Sequence, residues 1–303
     1  MRFRERAILW LYLGIMNVLM PLGLVLLLPV LLFKEKRRRT VFRRLGFQRY
    51  PEIEGPGRPV WIHALSLGET LSSVTLVRTL RQRLGKCPLV YSVSTLSAME
   101  IAEERIRPHV DGLFYFPFDL SWPVRRTLNR VNPRLIVFIE TDIWPGFQLQ
   151  VRRRGIPSLL VNGRLSPRTM RSCRRFKSLF VPALNTFQTI HPQSEREAAR
   201  YREVGVSKER IGAWGNLKFD VASQVPCEDD VAHLRRKLGV THDDKILLAG
   251  STHEGEEVIV LEAFQSVRRD VKQARLIIVP RHPARASQVA GYAREMGWRA
   301  ALF

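Results

Sequence analysis

Arg134-Leu-Ile-Val-Phe-Ile-Glu140-Thr-Asp142-Ile-Trp144-Pro145 is the stretch that decides the fold of this chain. Leu135 to Ile139 is an unbroken apolar run, the pattern of a strand buried on both faces. It stops abruptly at two carboxylates, a Trp and a Pro. Val60-Trp61-Ile62-His63-Ala64-Leu65 has the same form and runs into Ser66-Leu67-Gly68-Glu69, which opens a helix. In open α/β sheets, ligands bind outside the carboxyl ends of the strands. Carboxylates delivered at two such ends predict a cleft that handles a proton. A local reading stands beside this one, with Glu69 as a first-turn acid favoured by the helix dipole and Asp142 as a helix cap.

Outward from these two strands, strand-like and helix-like segments alternate. Strands are predicted at Val60–Leu65, Leu89–Ser94, Leu113–Phe116, Leu135–Ile139, Ser158–Asn162 and Thr189–Pro192. Helices are predicted at Glu69–Leu84, Ser97–Arg107, Trp122–Val131, Phe147–Arg154, Arg171–Thr186 and Ser194–Val204. This βαβα order predicts an α/β fold with a parallel sheet covered on both faces. Turn residues from Gly212 to Asp220 and a polar stretch, Gln224–Asp230, mark a domain boundary. A second α/β unit follows, with strands at Ile246–Ala249, Leu276–Val279 and Trp298–Leu302 and helices at Gly255–Arg269 and Ala284–Gly297. Three strands and two helices make half of a doubly wound domain, so an incomplete second domain is expected, with an edge and an apolar face uncovered. The expected domains are 1–33, 34–58, 59–222 and 223–303: an anchor, a basic linker and two α/β domains.

The chain has 303 residues, with 49 Lys and Arg against 28 Asp and Glu, a formal net charge of +21. Such an excess implies a polyanionic partner. Ile8 to Phe33 carries no charged residue and exceeds the ~20 residues that cross a bilayer core. It ends in a basic block, Lys34 to Arg39, without a small-residue cleavage site, which predicts an uncleaved anchor. Pro21 and Pro29 leave a re-entrant or interfacial insertion open. The longer basic block lies on the C-terminal side and predicts a cytoplasmic body. Three widely spaced cysteines, Cys87, Cys173 and Cys227, form no CxxC or Cys/His pattern, so neither a metal nor a cofactor is expected.

From Val151 to Ser178 there are nine basic residues and no acid. This is a solvated face or a surface for an anionic membrane. No recognisable reading motif or aromatic-interleaved basic strand is present, so no nucleic-acid partner is expected. Gly250-Ser251-Thr252-His253-Glu254-Gly255 follows a strand and opens a helix, where backbone N–H groups can hold a phosphate. It is not a P-loop, because Glu256 and Glu257 stand where Lys and Ser/Thr are needed. Pro280-Arg281-His282-Pro283 follows the next strand. A guanidinium and an imidazole there make a nucleotide pocket with the first loop, although an ordinary capped helix start accounts for either loop alone.

Taken in order, these stretches resemble the 3-deoxy-D-manno-oct-2-ulosonic acid (Kdo) transferases of Gram-negative bacteria. The resemblance rests on Trp61 to Glu69, Tyr115-Phe-Pro-Phe-Asp119, Ile139 to Pro145 and Val161-Asn-Gly-Arg-Leu-Ser166. It continues through Gly215-Asn-Leu-Lys-Phe-Asp220, Gly250 to Gly255 and Pro280 to Pro283. It implies a GT-B glycosyltransferase with two Rossmann-like domains, the second incomplete, and an N-terminal membrane helix. It also implies transfer of Kdo from CMP-Kdo to a lipid A precursor, lipid IVA, with inversion, in lipopolysaccharide core biosynthesis at the bacterial inner membrane. By resemblance Glu69 is the general base, and beside a cationic cleft it would stay ionised as a base must. Glu140 and Asp142 would support the acceptor sugar or its arginine neighbours, and Ser66, Gly68 and Arg164 would bind the acceptor. Asn216, Lys218, Ser251, Thr252, Arg281 and His282 would bind the donor.

Four departures from the family pattern stand out. Asp142 stands where the family usually has Glu, Gly146 where it has Asn, and Ser97-Ala98 where it has a Thr-Gly pair. The family also continues past the point corresponding to Phe303, with a Gly-rich loop and a Glu that embrace the nucleotide sugar. The expectation is therefore a truncated product or a domain completed by another chain, and no turnover by these 303 residues alone. A non-catalytic anionic-lipid-binding remnant is the alternative function. A membrane-tethered nucleic-acid-binding protein rests on charge alone.

Overall fold

In a computed structural model of the chain, the described residues are 7, 11–18, 22–23, 35–140, 143–222 and 228–303. The chain forms two compact units, Met1–Gln224 and Val225–Phe303.

The first unit is built on six strands: β1 (Val60–Ala64), β2 (Leu89–Val93), β3 (Gly112–Tyr115), β4 (Leu135–Ile139), β5 (Ser158–Gly163) and β6 (Thr189–Pro192). All pair in parallel, in the order β3-β2-β1-β4-β5-β6. Val60 faces Leu89 on one side and Leu135 on the other. Every residue of β1 and β2 is buried, as the unbroken apolar runs require. Side chains alternate between two cores. Trp61, Phe138 and Phe147 pack on one face of the sheet, and Ile62, Tyr91 and Ile139 on the other. Polar contacts in the middle of the sheet gather on Ser92: the Trp61 indole donates to its Oγ at 2.7 Å, and His63 Nδ1 lies 2.9 Å from the same oxygen.

Hydroxyl caps set several helix starts. Ser66, Thr95, Ser166 and Ser194 each accept a backbone N–H three residues on, satisfying one of the orphan donors of a first turn. The helix expected over Arg171–Thr186 is two helices, Pro167–Arg175 and Lys177–Leu184, separated at Phe176 (φ −114°, ψ 44°). The Ser166 cap and Pro167 start the first helix earlier than its apolar pattern does, and Phe176, with non-helical backbone angles, divides the two.

The basic linker also holds structure that its charge conceals. Glu35–Arg44 is helical. Arg44 donates to the carbonyl of Phe116 at 3.1 Å, and its guanidinium lies 4.3 Å from the centre of the Phe118 ring. Gln48 accepts the Tyr115 N–H at 2.9 Å and donates to the Tyr115 carbonyl at 2.7 Å. One side-chain amide thus stands in for a neighbouring strand at the end of edge strand β3, whose free backbone groups would otherwise invite pairing.

The anchor expected over Ile8–Phe33 lies largely outside the described residues. Among those described, residues 11–18 are helical and pack on the first unit. Tyr12 donates to Asp119 at 2.8 Å, Asn17 exchanges hydrogen bonds with Ser121 at 2.9 and 3.0 Å, and Leu13 is buried. Leu11, Ile15, Val18 and Leu22 remain exposed. No described helix is long and apolar enough to cross a membrane.

The second unit pairs β7 (Lys245–Thr252) and β8 (Ala274–Pro280) in parallel. Its helices are Glu228–Leu238, Glu256–Asp270 and Ala286–Glu295. The strand expected at Trp298–Leu302 does not form. The Trp298 N–H returns to the carbonyl of Ala293, and its ring packs against Phe264 with centroids 5.2 Å apart. The apolar burial of Trp298 serves a helix end, not a ladder. Ile246, Leu247 and Leu248 on β7 are exposed, Leu248 to 62%.

Candidate functional site

The strand order reverses between β1 and β4, and the carboxyl ends of these two neighbours flank the crevice where doubly wound sheets take their ligands. Glu69 follows β1, and Glu140 directly follows the last residue of β4. Of the three carboxylates singled out by pattern, Glu69 and Glu140 therefore stand at adjacent strand ends.

Glu69 is buried in the first turn of the helix Leu67–Leu84. Its Oε2 accepts the N–H of Leu65 at 2.6 Å, while its own N–H is shared with Ser66 Oγ at 3.4 Å. This is a capping-box relation displaced by one residue, so the capping reading and the chemical reading meet in one side chain. The backbone contact fixes which way the carboxylate faces. Gly68 has open space where a Cβ would sit, leaving the helix start accessible.

Glu140 has a left-handed backbone (φ 65°), as does Asn162 (φ 61°) near the end of β5. Asn162 donates from Nδ2 to Glu140 Oε1 at 3.4 Å, and its Oδ1 accepts the N–H of Leu217 at 3.2 Å. One side chain thus links the ends of β4 and β5 to the Gly215–Asp220 motif. Leu217 packs against the core beneath the helix Leu67–Leu84. Asn216 Oδ1 accepts the Lys218 N–H at 3.0 Å, which starts the helix Leu217–Ala222. Asn216 and Lys218, expected at the donor, belong to the first unit together with Ser66, Gly68, Glu69 and Glu140. Arg164 is exposed just past β5. Asp142 lies outside the described residues.

In the second unit, Ser251 has a left-handed backbone (φ 60°) just before the end of β7, where the register with β8 shifts, and Ser251, Arg281 and His282 are exposed at one end of the β7–β8 pair. The Arg281 N–H donates to the carbonyl of Thr252 at 2.9 Å, so the two motif loops are joined through backbone. The Thr252 side chain is not offered outward: it is buried and donates to Glu257 Oε1 at 3.1 Å. Glu257 also receives the fork of Arg285 at 2.8 and 3.4 Å. Burial pushes the Glu257 carboxyl up, but its own backbone N–H, Arg285 and Thr252 outweigh that and hold it below the usual carboxylate range.

Asp119 and Asn162 lie within the motifs quoted above and Glu257 entered only to exclude a P-loop, but sequence reasoning gave none of these, nor Arg285, a role in the site. A signal existed for Asn162: Asn is one of the few side chains that tolerates the left-handed region, and it sits at a strand end before Gly163. Among the described residues, no group of three or more His, Cys, Asp or Glu side chains is placed to hold a metal ion.

Residues 39–221 match the family model of the 3-deoxy-D-manno-octulosonic-acid transferases, and the chain belongs to this family. It is 28% identical over 279 residues to 3-deoxy-D-manno-octulosonic acid transferase of Haemophilus influenzae, covering 92% of this chain and 64% of that protein. It is 30% identical over 271 residues to the transferase of the same name from Chlamydophila psittaci, covering 86% of this chain and 60% of that one. The chain thus spans less than two thirds of the length of these curated relatives.

Solved structures agree on the fold. A UDP-GlcNAc 2-epimerase from Neisseria meningitidis, bound to UDP-GlcNAc, superposes with a TM-score of 0.57 at 8% identity, covering 78% of this chain and 69% of that one. Anabaena Alr3699/HepE in complex with UDP and glucose gives 0.53 at 13%, covering 80% and 67%.

Proposed function

We propose that the chain carries the acceptor side and part of the donor side of an inverting glycosyltransferase that moves Kdo from CMP-Kdo to the lipid A precursor lipid IVA. The observation that carries this reading is the pair of carboxylates, Glu69 and Glu140, that follow the two strands flanking the topological switch of a Kdo-transferase domain. Glu69 takes the proton of the acceptor hydroxyl as that oxygen attacks the anomeric carbon of Kdo. The bond from that carbon to the cytidylate phosphate oxygen breaks, and CMP departs on the opposite face. Glu140, held by Asn162, and Asp142 support the acceptor sugar, with Ser66, Gly68 and Arg164 around it. Ser251, Arg281 and His282 meet the cytidylate phosphate through a helix start and a guanidinium; Thr252 acts behind them through Glu257.

The chain works at the cytoplasmic face of the bacterial inner membrane. Supporting this are the uncharged run Ile8–Phe33, the basic segments that follow it, and the exposed apolar side chains of Leu11, Ile15 and Val18 on the helical stretch 11–18, with Leu22 exposed as well. These positions favour insertion into the interface over a free span. A second reading, a non-catalytic anionic-lipid-binding protein, is favoured by one observation: the nine basic residues, with no acid among them, between Val151 and Ser178.

The test is Kdo transfer from CMP-Kdo to lipid IVA, measured for this chain alone and for the chain extended by the remaining C-terminal part of the Haemophilus influenzae relative. Transfer by the extended chain supports the enzyme. Lipid IVA binding by both, with transfer by neither, supports the second reading.

A further inference from the structure

Asp119 is 2% exposed, yet it belongs to no part of the chemistry above. Its surroundings are three donors from two distant pieces of chain. Oδ1 accepts the Phe147 N–H at 2.6 Å, and Oδ2 accepts the Gly146 N–H at 2.9 Å; both amides lie in the first turn of the helix Pro145–Arg153. Oδ2 also accepts the Tyr12 hydroxyl at 2.8 Å. The approach is close enough to dictate the residue opposite: a Cβ at position 146 would stand 2.8 Å from Asp119 Oδ1, so Gly146 is what lets the carboxylate reach the helix. That helix begins five residues after Glu140.

We propose that Asp119 is a positioning residue, the joint through which the N-terminal segment bears on the acceptor-site end of β4; the acceptor assignment rests on the function proposed above. The physical reason is that a buried carboxylate tolerates the loss of a donor poorly. Burial already pushes the Asp119 carboxyl up, against the hydrogen bonds from Gly146, Tyr12 and Phe147. Removing the Tyr12 hydroxyl weakens the hold on the anion. The two amides of the first turn then face a poorer acceptor, and the helix start loosens. Settling the N-terminal segment on the membrane and setting the acceptor site would in this way be one event.

The experiment compares the full chain in detergent micelles with its Tyr12→Phe and Asp119→Asn variants. One readout is amide hydrogen exchange, and the other is equilibrium binding of lipid IVA. Tyr12→Phe is expected to speed exchange at Gly146 and Phe147 by about tenfold, to leave the amides of β1 and β2 unchanged, and to weaken lipid IVA binding several-fold. Asp119→Asn is expected to do the same more strongly. Unchanged exchange at Gly146 and Phe147 in Tyr12→Phe overturns the proposal. So does faster exchange there with lipid IVA affinity equal to wild type. A wild-type chain that binds no lipid IVA contradicts the acceptor reading instead, and the exchange comparison still decides whether the joint exists.

Discussion

Asn162 and Glu140 stand at the ends of neighbouring strands, both in left-handed backbone conformations, joined by a hydrogen bond of 3.4 Å. Non-glycine residues in that region carry strain that persists only where the surroundings enforce it, and such residues gather at functional sites. Here the enforcement is visible: Asn162 spends its carbonyl oxygen on Leu217 and its amide nitrogen on Glu140.

Replacing Asn162 separates backbone from side chain. Asn162→Gly accepts the left-handed conformation without strain but breaks both hydrogen bonds, whereas Asn162→Ala breaks them and adds a Cβ penalty of about 1 kcal/mol. Asn162→Ala is therefore expected to unfold at lower denaturant than Asn162→Gly. Both are expected to bind lipid IVA about tenfold more weakly than wild type, at about 1 to 1.5 kcal/mol for the lost hydrogen bond. Equal affinity in Asn162→Gly and wild type would remove Asn162 from the site.

Gly163 and Tyr201 make a second test in the same strand end. A Cβ at residue 163 would lie 2.9 Å from the Tyr201 hydroxyl, and that hydroxyl is buried without a hydrogen-bond partner. Gly163→Ala is expected to destabilise the first unit by about 1–3 kcal/mol through overpacking. Tyr201→Phe removes an unsatisfied buried polar atom and is expected to be neutral or stabilising by about 1 kcal/mol. In the double variant much of the Gly163→Ala loss should disappear, which chemical denaturation of the four proteins will read as a coupling between the two sites.

Glu257 gives the second unit a pH dependence whose sign follows from its environment. Its folded carboxyl is held below the ordinary value of 4.5. The stability it contributes is thus fully present above that value and is lost as pH falls through the folded pKa. Arg285→Ala leaves the Glu257 carboxylate without its fork and is expected to destabilise the second unit at neutral pH. That difference should shrink on acidification below pH 4.5. Hydrogen exchange confined to Val225–Phe303, followed from neutral to acid pH, measures it; a pH-independent difference would assign Arg285 to packing alone.

The sheet was legible because it is buried on both faces. Leu135–Ile139 and Val60–Ala64 are apolar at nearly every position, and only a parallel sheet with two covered faces asks for that. What escaped reading lies where one residue does work that its neighbours do not announce. Gln48 closes the end of β3 from inside a basic stretch, Phe176 separates two helices that look like one, and Trp298 turns inward at a helix end where its apolar neighbours suggest a strand. The carboxylates at the strand ends were visible because pattern and topology coincide there. The roles of Asn162, Asp119 and Glu257 were not, although the first two lie in quoted motifs, because each acts through contacts separated by long stretches of chain or hidden within a turn.

Membrane attachment separates the anchored readings from a soluble one. The uncharged run Ile8–Phe33 and the exposed side chains of Leu11, Ile15 and Val18 predict that high-salt washing leaves the chain with the membranes, while detergent releases it. Charge alone would be screened at high salt, so release by salt would reduce the attachment to the basic surface.

The central claim is that Glu69 takes the acceptor proton. Its most direct measurement is single-turnover Kdo transfer from CMP-Kdo to lipid IVA by the chain extended with the C-terminal part of the Haemophilus influenzae relative, comparing wild type with Glu69→Gln. Glutamine keeps the size and an oxygen to accept the Leu65 N–H, but it cannot take a proton. The account predicts a rate lower by about 10²–10⁴-fold, with lipid IVA and CMP-Kdo affinities within a few-fold of wild type. A Glu69→Gln protein that transfers Kdo at a near-normal rate would contradict it and leave Glu69 as the cap of its helix.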